Sequence, residues 1–239
     1  MNLARRPLYA QTEEILTRRI AEGAWPPGAP IPAEPALAAE LGVSSGTVRK
    51  ALAALERRRL IERRQGRGTF VATHTSERAL FHFFRILDLG DARHTPTSFV
   101  LDCRTWPANE EQAAALGLQP GEGVHRIERL RSLAGEPVIL ERILLPAARF
   151  PGFALPLLRE MEDELYVLYQ RDHGVTIGRA EERLGAIGAN EEQAAKLRLW
   201  PGAPLLEIAR VAYDLADRPV ERRITWLDTR MHRYAATLD

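Results

Sequence analysis

Ser44-Ser45-Gly46-Thr47 followed by Arg49-Lys50 is a short, polar, basic string. Side chains this small let a backbone approach phosphates and base edges, and an arginine fork can bind a guanine edge bidentately. Downstream, Arg67 and Gly68 belong to Gln65-Gly66-Arg67-Gly68, a Gly-rich turn able to carry a guanidinium into a minor groove or onto a phosphate. A second chemistry is offered by Arg129-x-Arg131. Alternate residues of a strand face the same side, so two guanidiniums there could hold one carboxylate or phosphate. Each feature also has a plainer reading: an ordinary turn at residues 66–68, and strand arginines paired with a nearby glutamate. The lone cysteine, Cys103, has no flanking base, and the six histidines show no i,i+4 pairing. No nucleophile–base motif, metal site or cofactor loop is therefore expected.

The elements that must position these residues follow from periodicity. Leu8, Thr12, Ile15, Leu16 and Ile20 share one helical face, and Gly23 and Pro26-Pro27-Gly28 end that helix. A short second helix fits residues 33–41, with Leu37, Ala38 and Leu41 inward and Gly42 as its C-terminal cap. Ser44 is a good N-cap for a third helix that buries Val48, Ala51, Leu52 and Leu55, leaving Arg49 on the opposite face. Two β-prone runs flank the Gly-rich turn as a hairpin. Helix, tight turn, helix and hairpin make a winged helix-turn-helix, with the third helix in the major groove.

Charge is divided to match. Residues 1–76 hold 12 basic side chains against seven glutamates and no aspartate, a net +5, while the remainder carries −4. The whole-chain charge of +1 hides this split. A basic module suits a phosphate-binding surface. No signal peptide and no apolar run long enough to span a membrane is seen, so a cytoplasmic protein is expected.

Residues 7–71 resemble the N-terminal domain of GntR-family transcriptional regulators. The resemblance rests on Pro7-Leu8-Tyr9, Ile31-Pro32-Ala33-Glu34, Gly42-Val43-Ser44, Thr47-Val48-Arg49, Leu60-Ile61 and Gly66-Arg67-Gly68-Thr69-Phe70-Val71. It implies a homodimer on a pseudo-palindromic operator, most often as a repressor. The DNA-contacting set is then Ser44, Ser45, Gly46, Thr47, Arg49, Lys50, Arg67 and Gly68. Pro35 and Ser45 stand where members often carry arginine, so a common family operator is not expected.

The second module repeats itself. Residues 108–121 and 189–202 agree at 11 of 14 positions, offset by 81. Each copy reads Asn N-cap, short acidic-start helix, Pro-Gly turn and two strands. Two copies suit one α+β domain with a largely antiparallel sheet. Features common to both copies are expected to build the fold. Arg131, Glu141 and Glu221 pair with Ala212, Arg223 and Ile139 and are better ligand candidates, whereas Arg129 is matched by Arg210.

This module resembles the UTRA effector-binding domain of the HutC subfamily, which has a chorismate-lyase-like fold, through Arg129-x-Arg131, Gly135-Glu136-Pro137-Val138, Glu141, Phe150-Pro151-Gly152, Leu165-Tyr166 and Pro219-Val220-Glu221. The resemblance implies a small polar or anionic metabolite in a cleft, its anion on Arg129 and Arg131. Its hydroxyl or amine groups would meet Glu141, Tyr166 and Glu221. Glu164 replaces a serine of sugar-phosphate-binding relatives, and its charge would repel a phosphate, favouring a small carboxylate or an amine-bearing ligand. His125 and residues 95–98 are further candidates for the cleft. The expected organisation is residues 1–75 for DNA binding, a linker at 76–89, and 90–239 for effector binding and dimerisation. An enzyme of lyase-like fold tethered to a DNA-binding domain is the rival reading.

Overall fold

The computed structural model describes residues 6–73 and 84–236, which form two compact units: the chain up to Thr73 together with Asp214–Asp217, and the remainder. Most of the expected linker, including Phe81 and Phe83, lies outside the described residues.

In the first unit, helix α1 (Leu8–Ala21) buries Thr12, Leu16, Thr17 and Ile20. Leu8 and Ile15 are 61% and 40% exposed, so the buried stripe is rotated from the expected one. Thr12 makes this possible: its hydroxyl donates to the Leu8 carbonyl at 2.9 Å, which satisfies the polar atom inside the core. Strand β1 (Pro30–Ile31) was not expected; two residues are too few to show a period. Helix α2 (Glu34–Leu41) ends at Gly42, whose φ of 64° is the left-handed cap that glycine adopts without strain. Helix α3 (Ser45–Arg57) buries Val48, Ala51, Leu52, Ala54 and Leu55. Strands β2 (Ile61–Arg64) and β3 (Gly68–Val71) form the expected hairpin, and β1 pairs with β3 to complete a three-stranded antiparallel sheet. Leu16, Leu37, Val48, Leu52 and Leu55 make the centre of one core shared by helices and sheet.

The second unit begins with β4 (Ile86–Asp88), so the end of the expected linker is a strand. Then come β5 (Thr97–Pro107), α4 (Glu110–Leu116), β6 (Gly123–Leu133) and β7 (Glu136–Pro146). After a 3-10 turn (Ala147–Arg149), the chain forms α5 (Leu165–His173), β8 (Ile177–Gly188), α6 (Glu191–Leu197), β9 (Pro204–Asp214), β10 (Pro219–Asp228) and β11 (His232–Tyr234). Six strands make one sheet in the order β5-β6-β7-β10-β9-β8, while β11 pairs with β4. The two copies of the repeat supply α4-β6-β7 and α6-β9-β10, which meet at the β7–β10 pair in the middle.

Both repeat helices open on a complete capping box. Asn109 and Asn190 accept from the Gln112 and Gln193 amides at 2.9 and 2.8 Å, and each glutamine reaches back to its asparagine's N–H. Their C-termini differ. Gly117 closes α4 at φ 65°, but Arg198 closes α6 at φ 55°. A side chain there strains the backbone by roughly 1 kcal/mol. Arg198→Gly is therefore expected to raise the melting temperature by about 2–4 °C, checked by calorimetry. The exposed Arg198–Glu136 pair at 3.6 Å, lost in the variant, offsets little of this.

Candidate functional site

The first unit presents α3 as its candidate nucleic-acid element. Ser44 caps the helix: its Oγ accepts from the Thr47 amide at 3.2 Å and lies 2.9 Å from Thr47 Oγ1. Ser44, Ser45 and Gly46 are exposed and Thr47 is half-buried. Arg49 and Lys50 follow on the solvent side of the helix, with the Arg49 side chain 67% exposed. Arg67 and Gly68 stand at the tip of the hairpin, where φ of 70° at Gly66 and 109° at Gly68 require glycine. One partner was missed from sequence. Glu34, at the start of α2, accepts from Arg49 Nε at 3.0 Å and lies 3.8 Å from Arg63 Nη2. It holds two basic side chains on one exposed face.

The second unit holds a buried ionic cluster on its sheet. Arg129 (β6) and Glu141 (β7) are register partners, and Arg129 Nε donates to Glu141 Oε2 at 2.7 Å. Arg223 Nη1 donates to the other Glu141 oxygen at 3.1 Å, and its Nε and Nη2 reach Glu221 at 3.0 and 2.7 Å. Tyr166 and Tyr169, one turn apart on α5, donate their hydroxyls to the two Glu221 oxygens at 3.1 and 2.8 Å. Arg131 stacks over the Phe84 ring at 4.7 Å, and its Nη2 donates to Glu164 at 2.7 Å. Glu164 also lies 3.7 Å from Arg129 Nη1.

Electrostatics follow from this packing. Burial pushes the Arg131 guanidinium down to about 10, with Arg129 beside it adding to the shift and Glu164 and Glu141 opposing it. Burial alone would raise Glu141, but Arg129 and Arg223 hold its carboxyl well below the usual range. Tyr166 is pushed up to about 12 by burial and by Glu221. Several donors remain unused: Arg129 Nη1 and Nη2, Arg131 Nε and Ser98 Oγ are buried without hydrogen bonds, and Ser98 is the register partner of Arg131 across β5–β6. Arg129 Nη2 is 2.6 Å from Glu141 but out of line for a hydrogen bond.

All five predicted effector residues thus fall into one neighbourhood, in two tiers. Arg131 and Glu141 line a small cavity of about 30 Å³, together with Phe84, Arg210, Arg223 and Thr225. Arg129, Tyr166 and Glu221 are not on its wall. Glu221 is fully buried, with both oxygens engaged. The repeat counterpart Arg210 also holds a carboxylate, donating to Glu182 at 2.7 Å, as expected of a shared fold-building feature. His125 is a packing residue, bonded to Thr105 Oγ1 and the Phe150 carbonyl. Cys103 is half-buried in β5, and burial raises its thiol. The expected repulsion at Glu164 takes another form: its carboxylate already lies on the two arginines. A larger groove of about 480 Å³, bordered by Asp88, His94, Val138, Arg230 and His232, carries none of the predicted residues.

Comparison with known proteins gives these two units a common reading. The family described as bacterial regulatory proteins, gntR family, matches residues 8–71, and the UTRA domain matches residues 91–233. The HTH-type transcriptional regulator SmoD of Agrobacterium fabrum is 31% identical over 97% of this chain and 96% of its own. The HTH-type transcriptional repressor NagR of Bacillus subtilis is 32% identical over 87% of this chain and 84% of its own. The crystal structure of the ligand-binding domain of a GntR-family regulator from Bordetella bronchiseptica is 34% identical, with a TM-score of 0.63, over 66% of this chain and 98% of that one. The relatives are regulators and not enzymes, which removes the tethered-lyase reading. No helix among the described residues is long and apolar enough to cross a membrane. The chain belongs to the GntR family of transcriptional regulators, HutC type, with a winged helix-turn-helix unit followed by a UTRA domain.

Proposed function

We propose that this regulator is a cytoplasmic repressor that binds a pseudo-palindromic operator as a homodimer and responds to a small polar or anionic metabolite. Ser44, Ser45, Gly46, Thr47, Arg49 and Lys50 meet the major groove, while Arg67 and Gly68 reach phosphate or minor groove from the hairpin. In the UTRA domain, Arg131 and Arg129 receive the anion of the metabolite, and Glu141 faces its remaining polar groups. Tyr166 and Glu221 act from behind, as the clamp that fixes Arg223 beside Glu141.

The observation that carries this reading is the group of buried, unused donors on Arg129, Arg131 and Ser98 around one point of the sheet. Glu141 and Glu164 balance the arginines' charge but leave these N–H groups without an acceptor, which is costly in a buried site and which a bound anion would relieve. Genome-wide footprinting of the purified protein tests the DNA half of the proposal. It should give discrete paired half-sites about one helical turn apart, and the flanking genes indicate the metabolite. Titrating that metabolite into Arg131→Ala should weaken its binding by about 10- to 100-fold, the worth of a charge-assisted hydrogen-bonding group. Unchanged affinity would remove Arg131 from the site.

A further inference from the structure

Glu164 differs from the other carboxylates of the cluster. Glu141 and Glu221 project from sheet strands, with side chains 4% and 0% exposed and held by two or more donors. Glu164 comes from the segment leading into α5 and is 16% exposed. It stands at the N-cap position of that helix yet makes no capping hydrogen bond; its carboxylate turns to Arg131 instead. Three residues earlier, the Met161 amide donates to the Ser98 carbonyl at 2.8 Å, tying the approach of this segment to β5. The backbone position is thus fixed close to the arginines, and only the side chain needs to swing for the carboxylate to leave.

The fit of Glu164 is incomplete. It takes one hydrogen bond, from Arg131 Nη2, and leaves Arg129 Nη1, Arg131 Nε and Ser98 Oγ unused. A free oxyanion with three or four oxygens could engage more of these donors than a carboxylate arriving from one side.

We propose that Glu164 is a tethered counter-anion that occupies the anion position of the effector site and must be displaced before an anionic effector binds. The inference rests on the proposed role of Arg129 and Arg131 as the anion receivers. A tethered group acts at an effective concentration on the order of mM, so it raises the concentration at which a free anion takes the site. It also selects ligands: the displaced carboxylate stays nearby, which favours an anion that carries an ammonium or hydroxyl donor for Glu164 to accept from.

Inorganic phosphate, titrated calorimetrically into the full chain at constant ionic strength, is a suitable probe. Glu164→Gln should bind it at least tenfold more tightly than wild type and should gain thermal stability on its addition. Glu164→Asp, which keeps the charge but shortens the reach, should give a smaller gain and serves if the glutamine variant folds poorly. The gain should vanish in Glu164→Gln/Arg131→Ala. Equal phosphate affinity in wild type, Glu164→Gln and Glu164→Asp, with Arg131→Ala weakening it, overturns the displacement proposal and leaves the anion site standing. If Arg131→Ala changes phosphate binding in neither background, both are overturned.

Discussion

Glu221→Ala is expected to cost about 3–5 kcal/mol of stability, the usual penalty for removing one partner of a buried ion pair. Four contacts end on this fully buried carboxylate: two from Arg223 and one each from Tyr166 and Tyr169. Without it, Arg223 keeps one carboxylate among the described residues, Glu141, reached through Nη1 at 3.1 Å, and its stacking over the Tyr166 ring at 5.5 Å. Two buried phenol hydroxyls lose their acceptor. Urea unfolding followed by tryptophan fluorescence reads the loss, since Trp106, Trp200 and Trp226 all belong to the sheet unit. Tyr169→Phe should cost only about 1 kcal/mol, because it removes one hydroxyl and leaves the charges balanced. A Glu221→Leu/Arg223→Met pair should recover part of the single-variant loss, since two apolar groups replace a desolvated ion pair. A loss below about 1 kcal/mol for Glu221→Ala contradicts the assignment of this residue as the clamp.

Arg49→Ala should weaken operator binding by about 10- to 100-fold, corresponding to the roughly 1–3 kcal/mol of a bidentate arginine–guanine contact. Its side chain is the extended basic group that follows the small first turn of α3, and Glu34 fixes its direction at 3.0 Å. The loss should fall on specific DNA far more than on unrelated duplex. Arg67→Ala makes the contrast. As a phosphate or minor-groove contact at the hairpin tip, it should weaken all sequences alike and reduce the slope of log affinity against log salt by about 1. Fluorescence anisotropy on operator and scrambled duplexes, at several salt concentrations, separates the two effects. An Arg49→Ala protein that discriminates as well as wild type contradicts the base-reading role.

How much of this was legible in the sequence depended on the distance over which each feature is determined. Caps and turns were legible because they are local. Ser44, Asn109, Asn190 and Gly42 occupy the positions that their residue types demand. The repeated helix–strand–strand unit was legible for the same reason, twice over. Each copy forms the short helix and two strands in the order read. Strand β1 was not, because its two residues gain their conformation from pairing with β3, about 40 residues away in sequence. The rotated face of α1 depended on a threonine hydroxyl finding a carbonyl, which an apolar count does not register.

The site divides in the same way. Arg129 and Arg131 were placed on one face by strand alternation alone, and the mismatch between repeat copies singled out Glu141 and Glu221. What no local rule supplied was pairing. Arg131 meets Glu164 33 residues later, and Arg49 meets Glu34 15 residues earlier. Tyr169 was within reach of sequence reasoning: it follows Tyr166 at i+3 on a helix, so the two rings must share a face.

If the proposed function holds, ligand binding at Arg131 and DNA binding by α3 should be thermodynamically linked. Operator affinity should be measured with and without the metabolite indicated by the footprinted genes, for wild type and for Arg131→Ala. Saturating metabolite should shift wild-type affinity by about 5- to 150-fold, a typical coupling free energy, and leave the variant's affinity unchanged at the same concentration. Metabolite that binds wild type without altering operator affinity, or that shifts both proteins equally, contradicts it.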